Sequence, residues 1–217
     1  MNVTNRTQAG KFVVILGIDG SGKTSIASRL EDFGYCVSSW KRLASIPLPP
    51  DQSASDYSTV AYIRGLPFGN YLESMPARTR SIFALTLAFA EYDYLIKPKL
   101  ETGSLVISEG YYFRIIAKEI VKGVGDLEIL KLAKSLPLPD AIVYLHLVPE
   151  SAFHRKGGRV SSHETLCANS VEDFTRFQER VEKVCDELTV GIRKFTVDST
   201  KDLDTIFDAV LKFLEDI

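Results

Sequence analysis

The chain is poor in cysteine and histidine and has almost no excess of either charge. Its three cysteines, Cys36, Cys167 and Cys185, are odd in number and far apart, and no Cys-x-x-Cys occurs in the 217 residues. Neither a disulfide framework nor a zinc site is encoded, which favours a reducing compartment. His146, His154 and His163 make no transition-metal spacing with cysteine or glutamate. Lysine and arginine number 26 against 28 acids, a net charge of −2, so a broad basic surface for nucleic acid is not expected. No run approaches the roughly 18 apolar residues of a membrane span, and the polar opening Met1 to Gly10 lacks a signal-peptide core. A soluble cytoplasmic protein with no membrane partner is the expectation. There is no internal repeat, low-complexity tract or shift of composition. With 45% hydrophobic residues, the chain reads as one domain over residues 11–217 behind a flexible tail, residues 1–10.

What the sequence does have is alternation. Short apolar runs at Phe12–Ile18, Tyr35–Trp40, Leu105–Ser108, Ala141–Val148 and Lys194–Val197 read as strands, and the first is apolar throughout, as a strand buried on both faces must be. Helical patterns lie between and after them at Lys23–Asp32, Ala77–Glu101, Asp126–Ser135, Val171–Thr189 and Leu203–Asp216. Strand and helix alternating without hairpins predict an α/β fold, a five-stranded parallel sheet with helices on both faces. Pro47, Pro49 and Pro50 end the second strand's segment, and Pro137 and Pro139 introduce the fourth strand. Residues 44–76 mix breakers with Tyr57, Tyr62, Phe68 and Tyr71, which predicts an ordered cap on the substrate side.

Gly17-Ile-Asp-Gly-Ser-Gly22-Lys23-Thr24 matches G-x-x-x-x-G-K-[ST] between a buried strand and a helix, where a phosphate loop belongs. Its glycines, Gly17, Gly20 and Gly22, let successive backbone N–H groups turn toward phosphate oxygens, and the following helix adds its positive end. Lys23 is expected to bridge β- and γ-phosphates, with Ser21 and Ser25 in the same cradle and the Thr24 hydroxyl on Mg²⁺. A guanine-reading Asn-Lys-x-Asp is missing after the fourth strand, where His146-Leu-Val-Pro149 stands. The third strand ends Ser108-Glu109-Gly110, a single acid where motor ATPases more often carry two. A regulatory GTPase and a motor are thereby disfavoured. A kinase and a nucleotide-binding protein weakened in catalysis both stay open.

With the phosphate loop, four further blocks make the chain resemble the thymidylate kinase family of P-loop nucleoside monophosphate kinases over nearly its whole length. They are Ser81–Ala88 with Ile96-Lys-Pro-Lys-Leu100; Leu105–Tyr111; Leu136–Leu145 with the basic stretch His154–Arg159; and Phe174–Val184 with Val197–Thr200. The resemblance implies a P-loop kinase fold with a short basic lid over about residues 150–170, ATP and Mg²⁺ as cofactors, and transfer to a dTMP-like acceptor. A different hydroxyl or phosphate acceptor is the alternative, and a homodimer is a possibility that the family suggests. It further implies that Asp19 contacts the nucleotide and metal site, that Phe83 stacks on a base, and that Ser199 lies in the loop holding adenine. The chain departs from the family at three places. Gly110 stands where Asp-Arg-Tyr has its arginine, Thr86-Leu87 replaces an Asp-Arg pair, and Lys41-Arg42 replaces an Arg-Glu-Pro-Gly loop.

Glu109, at the end of a buried strand, is a candidate for metal-bound water or for the proton of an attacking hydroxyl. Arg155 and Arg159, with Lys156 between them, are candidates for neutralising the transferring phosphoryl group from a mobile lid. Lys41, Arg42 and Tyr111 are candidates for the acceptor. Arg64, Arg78 and Arg80 are weaker ones, the last two reading as solvated. Phe83 either stacks on a ring or belongs to the core, and His146, within an apolar strand, reads as a satisfied core or sheet residue.

Overall fold

The computed structural model describes residues 10–45, 75–161, 163–166 and 169–217, and gives only the backbone of Lys41, Ala44 and Ser45. Arg64, Cys167 and nearly all of the expected cap lie outside these residues. Five strands, β1 (Lys11–Gly17), β2 (Cys36–Ser38), β3 (Leu105–Glu109), β4 (Ala141–His146) and β5 (Arg193–Asp198), form one sheet in the order β2-β3-β1-β4-β5. Every pairing is parallel, as the strand-helix alternation predicts. The central strand β1 buries both faces because it has neighbours in the sheet and helices above and below. Phe12, Val14 and Leu16 enter one core with Val106, Ile142 and Phe113, while Val13 and Ile15 enter the other with Ile107, Val143, Leu30 and Phe207.

Two helices, α1 (Lys23–Asp32) and α8 (Leu203–Glu215), cover the second face. The first face carries α2 (Ala77–Glu91), α4 (Phe113–Val121) and α5 (Leu127–Lys134), and α7 (Val171–Leu188) packs on α4 through Phe177 and Val181. Asp126, Ser170 and Asp202 cap α5, α7 and α8, each accepting a backbone N–H of the first turn.

The expected helix Ala77–Glu101 is interrupted. After α2, residues Tyr92–Ile96 make a wider π turn before the short α3 (Lys97–Glu101). The wide turn directly precedes Pro98, whose missing N–H and bulky ring an ordinary helical ladder does not carry. Two helices were not expected, α4 and α6 (Pro149–Arg155). Trp40 leaves the second strand to begin a 3₁₀ turn, Trp40–Ser45, and Val148 caps α6 instead of ending β4. His146 is exposed at the last position of β4 and is not a core residue.

Candidate functional site

The phosphate loop joins β1 to α1 at the carboxyl edge of the sheet. Gly17, Gly20 and Gly22 all have positive φ (147°, 88° and 93°), and Gly22 is the left-handed residue before the first turn of α1. A Cβ on Gly17 would sit 2.5 Å from the Leu145 carbonyl oxygen and from Ser21 Oγ, so no larger residue fits there. Ser21 Oγ is buried with no hydrogen-bond partner among the described residues. An orphaned hydroxyl inside a cradle of backbone donors fits an incoming oxyanion.

Lys23 Nζ donates to the carbonyls of Gly17 (3.0 Å) and Ile18 (2.7 Å), so its ammonium lies folded against the loop. Burial and the neighbouring Arg114 cation depress its pKa to about 7, against the opposing pull of Asp19. Thr24 Oγ1 donates to Glu109 Oε1 at 2.5 Å. This brings together the two side chains expected at the metal, one from α1 and one from the end of β3, where Glu109 lies in register with Ile15. A hydroxyl and a carboxylate are the hard oxygen donors that Mg²⁺ takes.

Asp19 is held by residues that sequence reasoning missed. Arg114 Nη2 donates to Asp19 Oδ2 at 3.0 Å and Lys118 Nζ lies 2.8 Å from the same oxygen. Gln178, fully buried on α7, accepts from Arg114 at 2.8 Å. Burial alone would raise the Asp19 pKa, but the charges of Arg114, Lys118 and Lys23 outweigh it and hold the carboxyl well below the ordinary range. Three basic side chains thus gather around Asp19 beside the phosphate loop, with Glu109 the second acid acting on Lys23. The signal for it was the i, i+4 pair Arg114 and Lys118 on one face of FRIIAKEIV, a stretch whose remaining residues apart from Glu119 are apolar.

The acceptor-side candidates divide. Arg42 makes a bidentate pair with Glu31 at the end of α1, and the Lys41 side chain lies outside the described residues. Arg80 is not solvated. It forms a bidentate pair with buried Glu119 at 2.7 and 2.6 Å that ties α2 to α4, whereas the exposed Arg78 pairs with Asp126 at 2.8 Å. Phe83 and Tyr111 line one shallow recess with Trp40 and Ile115, with room for about one water, roughly 20 Å³. Tyr111 is 5% exposed, and its φ of +44° follows Gly110 at +86°, two left-handed residues in succession. That conformation is costly for a residue with a Cβ. It turns the ring edge-on to Phe12, 5.2 Å away.

Glu91, 1% exposed, also lines this recess, and its Oε1 accepts from Ser38 (2.9 Å) and Ser108 (2.7 Å). Burial raises its pKa to about 7; the two serine hydroxyls and a backbone hydrogen bond from Trp40 oppose that, and the nearby Glu109 adds to it. A carboxyl whose folded pKa is raised costs stability as pH climbs from about 4.5 to 7. Glu91→Gln, whose amide oxygen keeps both serine bonds, is therefore expected to stabilise the protein by roughly 3 kcal/mol at pH 8 and hardly at all at pH 4.5. Equal denaturation midpoints for both proteins at pH 8 would refute this.

The basic stretch after β4 begins on α6. A Cβ on Gly20 would meet the Ala152 carbonyl oxygen at 3.2 Å and Lys156 Cδ at 3.4 Å, so α6 and Lys156 lie directly against the phosphate loop. Lys156 Nζ is 2.6 Å from Glu164. Arg155 Nη2 donates to the Ser199 carbonyl at 2.7 Å, joining two of the expected site residues, and Arg159 is exposed beyond the left-handed Gly157 and Gly158. Ser199 itself is fully buried. Its N–H donates to His146 and its hydroxyl has no partner among the described residues.

Comparison with known proteins points to one family. A family model described as thymidylate kinase matches residues 65–210. A probable thymidylate kinase of Archaeoglobus fulgidus is 28% identical, covering 94% of each chain. One from Thermococcus gammatolerans is 30% identical over 82% of this chain and 84% of its own. The crystal structure of thymidylate kinase from Ehrlichia chaffeensis superposes with a TM-score of 0.61 over 95% of this chain and 99% of that one, at 15% identity.

Proposed function

The chain belongs to the thymidylate kinase family of nucleotide kinases, and on that premise we propose that it transfers the γ-phosphoryl group of ATP to a nucleoside monophosphate, thymidylate being the reference acceptor by its relatives' names. The observation that carries this reading is the cluster of buried basic side chains, Lys23, Arg114 and Lys118, drawn around Asp19 beside a glycine cradle and an aromatic-walled recess. A donor polyphosphate alone would need Lys23 and the cradle. Arg114 and Lys118, one turn apart on α4 and both drawn to Asp19, are the cations that in this reading meet a second phosphate and substitute for the family arginine missing at Gly110.

In this reading the loop backbone and Lys23 orient the donor, and Ser21 supplies its unpartnered hydroxyl to a phosphate oxygen. Thr24 and Glu109 would hold Mg²⁺, which when bound neutralises charge on the phosphates. Phosphoryl transfer asks a protein chiefly for positioning and charge, and α6 against Gly20 sets Lys156 beside the loop, with Arg155 and Arg159 on the same basic stretch as the candidates for the transferring group. The test is ADP release with a panel of nucleoside monophosphates and nucleosides. Monophosphates are expected to support turnover and nucleosides are not. Glu109→Gln is expected to lower kcat by about 100- to 10,000-fold. Turnover confined to nucleosides, or unchanged in Glu109→Gln, would contradict the proposal.

A further inference from the structure

One buried carboxylate ties the ends of β2 and β3 to α2. Glu91, the last residue of α2, accepts from Ser38 Oγ at 2.9 Å and Ser108 Oγ at 2.7 Å, and a third hydrogen bond comes from the backbone of Trp40. Ser38 and Ser108 are partners across the sheet and form the last rung between the two strands. From that rung the chain leaves in two directions. Trp40 opens the 3₁₀ turn that carries Lys41 and Arg42, whereas Ser108 is followed by Glu109, whose carboxylate meets Thr24. Successive residues of a strand point to opposite faces. Ser108 therefore faces α2, as Val106 faces the first core, while Glu109 faces α1, as Ile107 faces the second. The last two residues of β3 are thus held from opposite faces, directly before the left-handed Gly110 and Tyr111. The helix changes at the same place, since the π turn starts at Tyr92, and such turns are frequent at functional sites.

Resting on the reading above that Thr24 and Glu109 hold Mg²⁺ for phosphoryl transfer, we propose that Glu91 is a positioning residue for that reaction. Through Ser108 it fixes Glu109 opposite Thr24, and through Ser38 and Trp40 it fixes the start of the turn that bears Lys41 and Arg42. Burying a carboxyl costs stability. Here the cost is offset in part by donors from two strands and a turn converging on one side chain, which sets the spacing between the metal side and the acceptor side of the site. β2 is only three residues long and lies at the edge of the sheet, so its ladder alone gives that spacing little support. The donor cradle is built separately, from the loop backbone and Lys23. Loosening the rung therefore weakens the hold on the metal and slows transfer, and leaves the nucleotide's grip on the loop intact.

Three variants of the intact protein separate this role from a merely structural one. Ser108→Ala removes the link to Glu109 by a single oxygen, Glu91→Met fills a similar length without accepting either serine bond, and Glu91→Gln keeps an oxygen for both serines. Mn²⁺ affinity in the presence of ADP, read by electron paramagnetic resonance, is expected to fall about ten- to a hundredfold in Ser108→Ala and Glu91→Met, and kcat by a similar factor. ADP affinity measured without metal is expected to stay at the parental value. Glu91→Gln should remain within about threefold of the parent in both readouts, and the double variant Ser108→Ala, Glu91→Met should lose little beyond the worse single one, since both act on one link. If Glu91→Met does not fold, Ser108→Ala decides alone. Parental Mn²⁺ affinity and kcat in Ser108→Ala would overturn the assignment, as would a Glu91→Gln variant as impaired as Glu91→Met, or an equal loss of metal-free ADP affinity, which general loosening of the fold produces. Because metal binding is read separately, lost Mn²⁺ affinity in the variants of a parent that turns over no monophosphate would overturn the phosphoryl-transfer reading and leave the placing of Glu109 by Glu91 standing. A parent that binds no Mn²⁺ beside ADP would overturn both.

Discussion

Replacing Lys23 by alanine is expected to lower kcat/KM by about a thousandfold while leaving the protein folded. The two halves of this prediction have different origins. Activity falls because charge neutralisation and positioning account for most of phosphoryl-transfer catalysis, and Lys23 carries the ammonium nearest the loop backbone. Stability does not fall with it, because the native state holds this ammonium buried beside Arg114, with a pKa of about 7. A lysine with a depressed folded pKa costs stability most below pH 7, and that cost diminishes as pH rises toward the unfolded value near 10.5. The unfolding midpoint of Lys23→Ala at pH 6 should therefore be no lower than that of the parent. The same shift predicts that binding ADP at pH 8 takes up protons, since phosphate charge raises the lysine pKa, and that uptake is smaller at pH 5.5 and smaller still in the variant. Calorimetry in buffers of different ionisation enthalpy reads this directly. A variant that keeps its turnover would remove Lys23 from the mechanism, and one that unfolds would show that its role is structural.

Much of the molecule was legible because the informative residues were adjacent in sequence. The phosphate loop is eight consecutive residues flanked by an apolar strand and a helix, and four of the five helical patterns ended within a residue or two of the observed helices. The fold lies deeper than its letters, since the Ehrlichia chaffeensis structure shares it at 15% identity. Residues joined only by folding were not visible in this way. Asp19, Arg114, Lys118 and Gln178 come from a loop and two helices, and their partnership exists only once α4 and α7 pack beside the loop. α4 itself escaped notice because two left-handed residues, Gly110 and Tyr111, separate it from β3, leaving no capping signal at its start. Glu91 looked like one more charge on a long helix. Burial among Ser38, Ser108 and aromatic walls is what gives it chemistry, and that burial depends on the register of β2 against β3.

Asp19→Asn is expected to destabilise the protein by about 3 kcal/mol or more at pH 7, the largest stability loss predicted for a single site residue. Arg114 is only 9% exposed and Lys118 16%, so neither can recover its hydration when the carboxylate is removed, and Lys23 adds a third charge to the same pocket. An asparagine still accepts a hydrogen bond but cancels none of that charge. Since the folded pKa of Asp19 is depressed, the stability it contributes is present above the unfolded value near 3.8 and lost as pH falls through the lower folded value. The two proteins should accordingly converge in strongly acid solution and differ most from about pH 5 upward. The variant should also respond more steeply to polyanions. Pyrophosphate or ADP supplies the negative charge that Asp19 no longer provides, so each should raise the variant's unfolding midpoint by more than the parent's at equal concentration. An unchanged midpoint at pH 7 would mean that solvent or other residues neutralise the pocket. Equal stabilisation of both proteins by pyrophosphate would mean that phosphate does not enter it, and the placing of Arg114 and Lys118 at the transferring groups would then have to be abandoned.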